Sequence, residues 1–143
     1  TAGDAVTLHD IALCGLLCVS GRRIGLLDAQ GVSVSPTGGD ESKAFFSLGA
    51  GDHSVTINAL AAGLVKLLAS GGKSVIRVGQ SGAKGIAAID AEIRTGADYD
   101  KADVANCTIG SSLTINLGGG GGEARVSSIS GAAGGQPRVY VRA

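Results

Sequence analysis

Ser54-Val55-Thr56-Ile57-Asn58 is followed without a break by Ala59-Leu60-Ala61-Ala62-Gly63-Leu64-Val65-Lys66-Leu67-Leu68-Ala69-Ser70. The first five residues alternate polar and apolar with period two, the pattern of a strand with one face in a core. From Leu60 the spacing changes. Leu60, Leu64, Val65, Leu67 and Leu68 fall at helical intervals, with Asn58 placed to cap the first turn. Ser70-Gly71-Gly72 then reads as a C-terminal stop. A helix is therefore expected from Ala59 to Ser70, packed on an otherwise strand-rich chain.

Most of the remaining sequence reads as extended. Val6 to Val19 has no helical charge pattern, and Ser20-Gly21-Arg22-Arg23 is a turn before Ile24 to Asp28, which suggests a hairpin. Gly31 to Ser35 alternates, and Pro36 ends that run because it cannot donate to a ladder. Thr37 to Ser42 is loop. Phe45-Phe46-Ser47-Leu48 is an apolar patch that serves equally as a contact surface or as a fold-back onto the core. Val75 to Val78, Ile86 to Ile93 and Thr108 to Leu117 are further strands, separated by a turn at Gly79–Gly85 and an acidic loop at Gly96–Asp103. Five glycines, Gly118 to Gly122, read as a flexible break. The chain thus divides into a body, 1–117, and a Gly-rich C-terminal arm, 118–143, with short strands at Arg125–Ile129 and Arg138–Arg142. The expected fold class is mainly β: a barrel or sandwich with one packed α-helix.

Composition narrows the function. The chain has 143 residues, suited to one core, and 44% of them are hydrophobic. Only 3% are aromatic, so Val, Ile, Leu and Ala must fill that core, and the aromatic lining usual in ligand pockets is missing. Net charge is zero, which removes the basic excess that phosphate binding needs. No apolar run is long enough to span a bilayer as a helix, and no signal-peptide pattern is present. Thr1, with Met absent throughout, fits a start trimmed of its initiator Met.

Chemical motifs fail on spacing or context. Ser70-Gly71-Gly72-Lys73-Ser74 lacks the upstream Gly of a phosphate loop, since Leu67 stands there, and it follows a helical pattern where that loop opens one. Gly79, Gly82 and Gly85 are wrongly spaced for a dinucleotide fingerprint. Three cysteines, Cys14, Cys18 and Cys107, make no disulfide framework and read as small buried hydrophobes. Along a strand Cys14 and Cys18 would lie roughly 13 Å apart, too far to share a metal with His9. His53 is remote. Asp98, Asp100 and Asp103 lack the closing Glu of a calcium loop and read as a solvated acidic stretch. Asn106-Cys107-Thr108 matches a glycosylation acceptor by chance. No motif frames a nucleophilic Ser. No enzyme, cofactor or metal is expected.

Taken in order, the segments resemble the tail tube proteins of long-tailed bacteriophages, those of the contractile type in particular. The resemblance runs through His9-Asp10-Ile11-Ala12, Val19 to Ile24, Asp28 to Val34, Leu48-Gly49-Ala50-Gly51-Asp52, Ser54 to Ile57, the Leu60/Leu64/Leu67/Leu68 segment, Ile93-Arg94, Ala97-Asp98 and Leu113-Thr114-Ile115. It implies a virion structural protein, made in the host cytoplasm, whose strands complete an oligomeric barrel in stacked hexameric rings. DNA would pass through the rings during ejection without specific contact. Tape-measure, sheath and baseplate proteins would be its partners, and no membrane is involved. It also implies that the loop bearing Pro36, Asp40, Lys43, Phe45, Phe46 and Asp52 reaches the adjacent ring, and that Leu60, Leu64, Leu67 and Leu68 lie on a helix outside the barrel. A capsid decoration protein is the alternative, and a secreted β-sandwich binding module a more distant one.

Overall fold

The computed structural model describes residues 3–143, so Thr1 and Ala2, the first positions of the expected body, lie outside it. The chain is mainly β, and every pairing between its strands is parallel. The strands are β1 (Asp4–Cys14), β2 (Leu16–Ser20), β3 (Ile24–Ser35), β4 (Lys43–Ser47), β5 (His53–Ala61), β6 (Leu64–Ala69), β7 (Ser74–Val78), β8 (Ile86–Thr95), β9 (Asp100–Asn116), β10 (Gly122–Gly131) and β11 (Arg138–Arg142). Each of β1 to β9 pairs with a strand one lap later, and β10 and β11 pair back onto β9. β1, β3, β5, β7, β9 and β10 stack in one series, and β2, β4, β6, β8, the second half of β9 and β11 stack in another. New laps begin at Asp4, Ile24, His53, Ser74, Asp100 and Gly122, so a lap takes about 20 to 29 residues. The architecture is a β-solenoid of six coils.

A solenoid replaces the expected barrel or sandwich. The reason lies in the turns. Ser20 to Arg23 does not fold β3 back on its predecessor as a hairpin; it carries the chain around a corner so that Ile24 starts a new lap on top of Asp4. Parallel neighbours need a long crossover, and here the rest of the lap supplies it.

The expected helix at Ala59–Ser70 is likewise corrected. The segment is the end of β5, a corner at Ala62–Gly63, and β6. Leu60, Ala62, Val65, Leu67 and Ala69 point inward and are buried, whereas Leu64 is half-buried and Leu68 is 39% exposed. The corner resets the alternation between Ala62 and Val65, and the outward Leu64 and Leu68 fill the gaps. The result imitates a 3.6-residue period. Leu60, Leu64, Leu67 and Leu68 therefore occupy two runs of one coil, not one outer helix.

Inward positions stack into continuous apolar rows. One row is Leu27, Val55, Ile76 and Ala102, and another is Phe46, Leu67, Ile93 and Ile115. All are at most 2% exposed. Small and branched side chains suit such rows, because each sits directly over its like at the spacing of paired strands, about 4.8 Å. Corners need left-handed backbone. Asp10, Gly31, Ala59, Asn106 and Ser128 all have φ between 53° and 63° and occupy one corner of their coils.

The glycines at 118–122 form a corner too, not a loose break. Gly118 has φ +73°, and a Cβ there would fall on the Gly96 carbonyl oxygen of the coil below. Beyond them, β10 and β11 pair with β9 along their whole lengths, so residues 118–143 continue the stack as its last coil.

Candidate functional site: the two open ends of the core

Among the described residues, the rows that run through the middle of the solenoid stop at strands paired on one side only. At one end β1 and β2 pair only with β3 and β4. Their inward residues Val6, Leu8, Ile11, Leu17 and Val19 pack against the core but are only half-buried. At the other end β10 and β11 pair only with β9. Val139 and Val141 occupy inward rows whose members one coil below, Leu113 and Ile115, are fully buried. Val139 itself is 41% and Val141 48% exposed. Two open hollows of about 630 and 610 Å³ lie against this last coil, lined in part by Ile129, Val139, Tyr140 and Val141. Each end therefore offers both a severed apolar core and one unpaired edge per strand. An exposed edge templates further strands.

The lateral faces look different. Outward positions carry charge pairs, one across strands, Lys66 to Glu92 at 3.5 Å, and two along a single strand, Arg94 to Glu92 at 3.1 Å and Arg125 to Glu123 at 2.7 Å. Such exposed pairs contribute about 0–1 kcal/mol each and suit a solvated sheet face. Arg77, Lys101, Asp103, Glu123 and Arg125 border a shallow groove of about 200 Å³, below the size of ordinary ligand pockets. His9 Nε2 lies 3.1 Å from Asp28 Oδ2, and the Gln30 amide donates to Asp28 Oδ1 at 2.9 Å. The Gln30 bond, helped by His9, holds the Asp28 carboxyl below its ordinary value.

The sequence-singled residues scatter around the solenoid. Pro36 and Asp40 stand on a corner loop, while Lys43, Phe45 and Phe46 belong to β4. Phe46 is a core residue, 1% exposed, and Phe45 is half-buried on the outer face, so the Phe pair divides between the two sides of one strand. Asp52 accepts the Lys73 backbone N–H at 2.9 Å and ties two corners together. Cys107 is the buried cysteine that composition suggested, its thiol pushed up by burial, partly offset by the Ile86 N–H. Cys14 and Cys18 are exposed instead, on separate runs around the Gly15 corner.

Asp100 corrects the solvated acidic stretch: it is 0% exposed and accepts the Ser74 N–H at 2.7 Å, whereas Asp98 lies on a corner and Asp103 on β9. His53 is buried one coil below Ser74, Nδ1 2.7 Å from the Ile24 carbonyl oxygen and Nε2 3.1 Å from that of Gly49. Among the described residues no three His, Cys, Asp or Glu side chains converge as a metal set, and no helix is long and apolar enough to cross a membrane. No family model, curated protein or solved structure matches the chain.

Sequence reasoning did not find the open ends. The signal was present in the inward alternation of Val6/Leu8 and of Val139/Val141, but alternation does not say whether a strand is central or terminal.

Proposed function

We propose that the chain is a structural protein, a stiff solenoid segment that lengthens by end-on association into a filament. Such a filament would serve as a component of an elongated assembly such as a phage tail. The tail-tube resemblance implied hexameric rings in which the strands of six copies complete a shared barrel. In a solenoid the unpaired edges face along the axis, which favours growth in one dimension. The carrying observation is that the apolar rows end on half-exposed strands at both ends of the stack. Terminal coils of solenoids need a polar cap to stay soluble alone, and burying these ends against like coils serves the same purpose. The lateral faces carry charge pairs and shallow relief, with Leu26, Leu68, Ile89 and Tyr99 exposed among them.

Sedimentation velocity over a concentration series, with electron microscopy of the same samples, tests this. Six coils at the usual interstrand spacing predict an axial repeat of about 29 Å per copy. Rods that grow in length and not in width are expected. A strictly monomeric species at the highest concentrations would overturn the proposal.

A further inference from the structure

Resting on that structural reading, we infer that the occupant of each open end is a second copy of this chain, docked head to tail in one specific register: β10 on β1 and β11 on β2 of the next copy, with Ser128 over Asp10.

The corner fixes the register. In β1 the left-handed residue Asp10 (φ 53°) comes six residues after the strand's first residue, Asp4. In β10 the left-handed residue Ser128 (φ 53°) comes six residues after Gly122. Laying Ser128 over Asp10 therefore aligns both strand starts at once. A shift by one residue would put a corner against straight strand and turn every inward side chain outward. The second strand agrees, since β11 and β2 are both five residues long.

The same register continues the rows of the core. Ala124 comes over Val6, Val126 over Leu8 and Ile129 over Ile11 of the next copy, each an inward residue facing an inward residue. On the second strand Val139 comes over Leu17 and Val141 over Val19, which returns both valines to the surroundings of Leu113 and Ile115. No like charges fall opposite one another: Arg125 meets Thr7, Arg138 meets Leu16 and Arg142 meets Ser20. A head-to-head pairing would run the facing strands antiparallel and break the parallel pattern that every coil of the molecule uses.

This register sets Tyr140, 54% exposed, over Cys18, also exposed, in one outward row. Their Cα atoms would stand about 4.8 Å apart, inside the range of roughly 4.4–6.8 Å that a disulfide spans. The native thiol is thus a built-in reporter. In a Cys14→Ser background, Tyr140→Cys is compared with Arg142→Cys during air oxidation, two thiols joining as one disulfide while dioxygen takes up the two electrons and two protons. In the Tyr140→Cys variant, ladders of oligomers linked from Cys18 to the introduced thiol are expected to form at least tenfold faster than any cross-linked product of Arg142→Cys. Equal rates, or faster cross-linking by Arg142→Cys, would overturn the register.

Rods by microscopy without the preferred cross-link would leave the filament reading standing and remove this inference. Absence of both rods and cross-links removes both. A second variant guards against misfolding at position 140: Val141→Asp, on the last strand, is expected to weaken association at least tenfold while its melting curve at low concentration stays two-state. Undiminished association of Val141→Asp would also overturn the docking.

Discussion

Ile115 and Val141 stand in the same inward row, one coil apart, yet Ile115 is 0% and Val141 48% exposed. Nothing in residue type separates them. Both are branched, apolar and flanked by outward polar residues. The difference is only that Ile115 has a coil on each side and Val141 has one. In a globular domain burial is decided by depth in a common core. In a solenoid it is decided by the nearest neighbours along the axis, and stability is close to a sum of coil terms and interface terms. Among the described residues the middle coils have an interface on each side, and the first and last coils have one.

The sharpest way to break that comparison is truncation in the two places. Ile115→Ala should cost about 2–5 kcal/mol, as for a fully buried aliphatic side chain. Val141→Ala in the unassociated protein should cost no more than about 1 kcal/mol, because much of its surface is already in water. Urea melts at low concentration would measure both. Equal losses would mean that the last coil is covered by something other than solvent.

Gly118 tests the joint between the two regions. Gly118→Ala adds a Cβ that collides with the Gly96 carbonyl, at a residue with φ +73°. Left-handed strain alone is worth about 1–3 kcal/mol, so a loss of about 2 kcal/mol or more is expected. The loss should be local, with amide exchange accelerating in β10 and β11 before the β3–β8 coils. Uniform acceleration would show that the coils melt as one unit.

How far the sequence could be read follows from the same geometry. The strands at 54–58 and 75–78 were legible because each alternates along a straight run, whereas 108–117 reads as one strand although its alternation breaks at Gly110–Ser111, where β9 passes from one stack to the other. The misread segment, Ala59 to Ser70, crosses a corner, and Gly63 shifts the phase of its alternation. Corners at Ser20–Arg23 and Gly79–Gly85 have the residues of hairpin turns, and nothing local distinguishes a turn that reverses a chain from one that advances it. Lap lengths vary because the loops at 36–42 and 79–85 lengthen two coils, so no constant repeat shows in the residues. The open ends were hidden for a different reason. Val139 and Val6 have the pattern of central strands, and only the pairing map shows that they are terminal.

The smallest effect expected concerns the outer face, where the same neighbour logic acts through polar groups. Asp28 takes a hydrogen bond from Gln30 in its own strand and lies against His9 in the coil below, and both hold its carboxyl below the ordinary 3.8. A carboxyl lowered on folding adds stability above its unfolded value, and that stability is lost as pH falls through the folded value. Asp28→Asn should therefore melt slightly below the parent near neutrality, and the two should converge in acid once the pH has fallen through the lowered folded value of Asp28. The gap should also shrink in high salt, because the His9 contact is partly exposed. Since His9 belongs to the first coil, a gap that persists unchanged in a His9→Ala background would assign it to Gln30 alone, whereas a reduced gap would make Asp28 a link between the terminal coil and the complete ones.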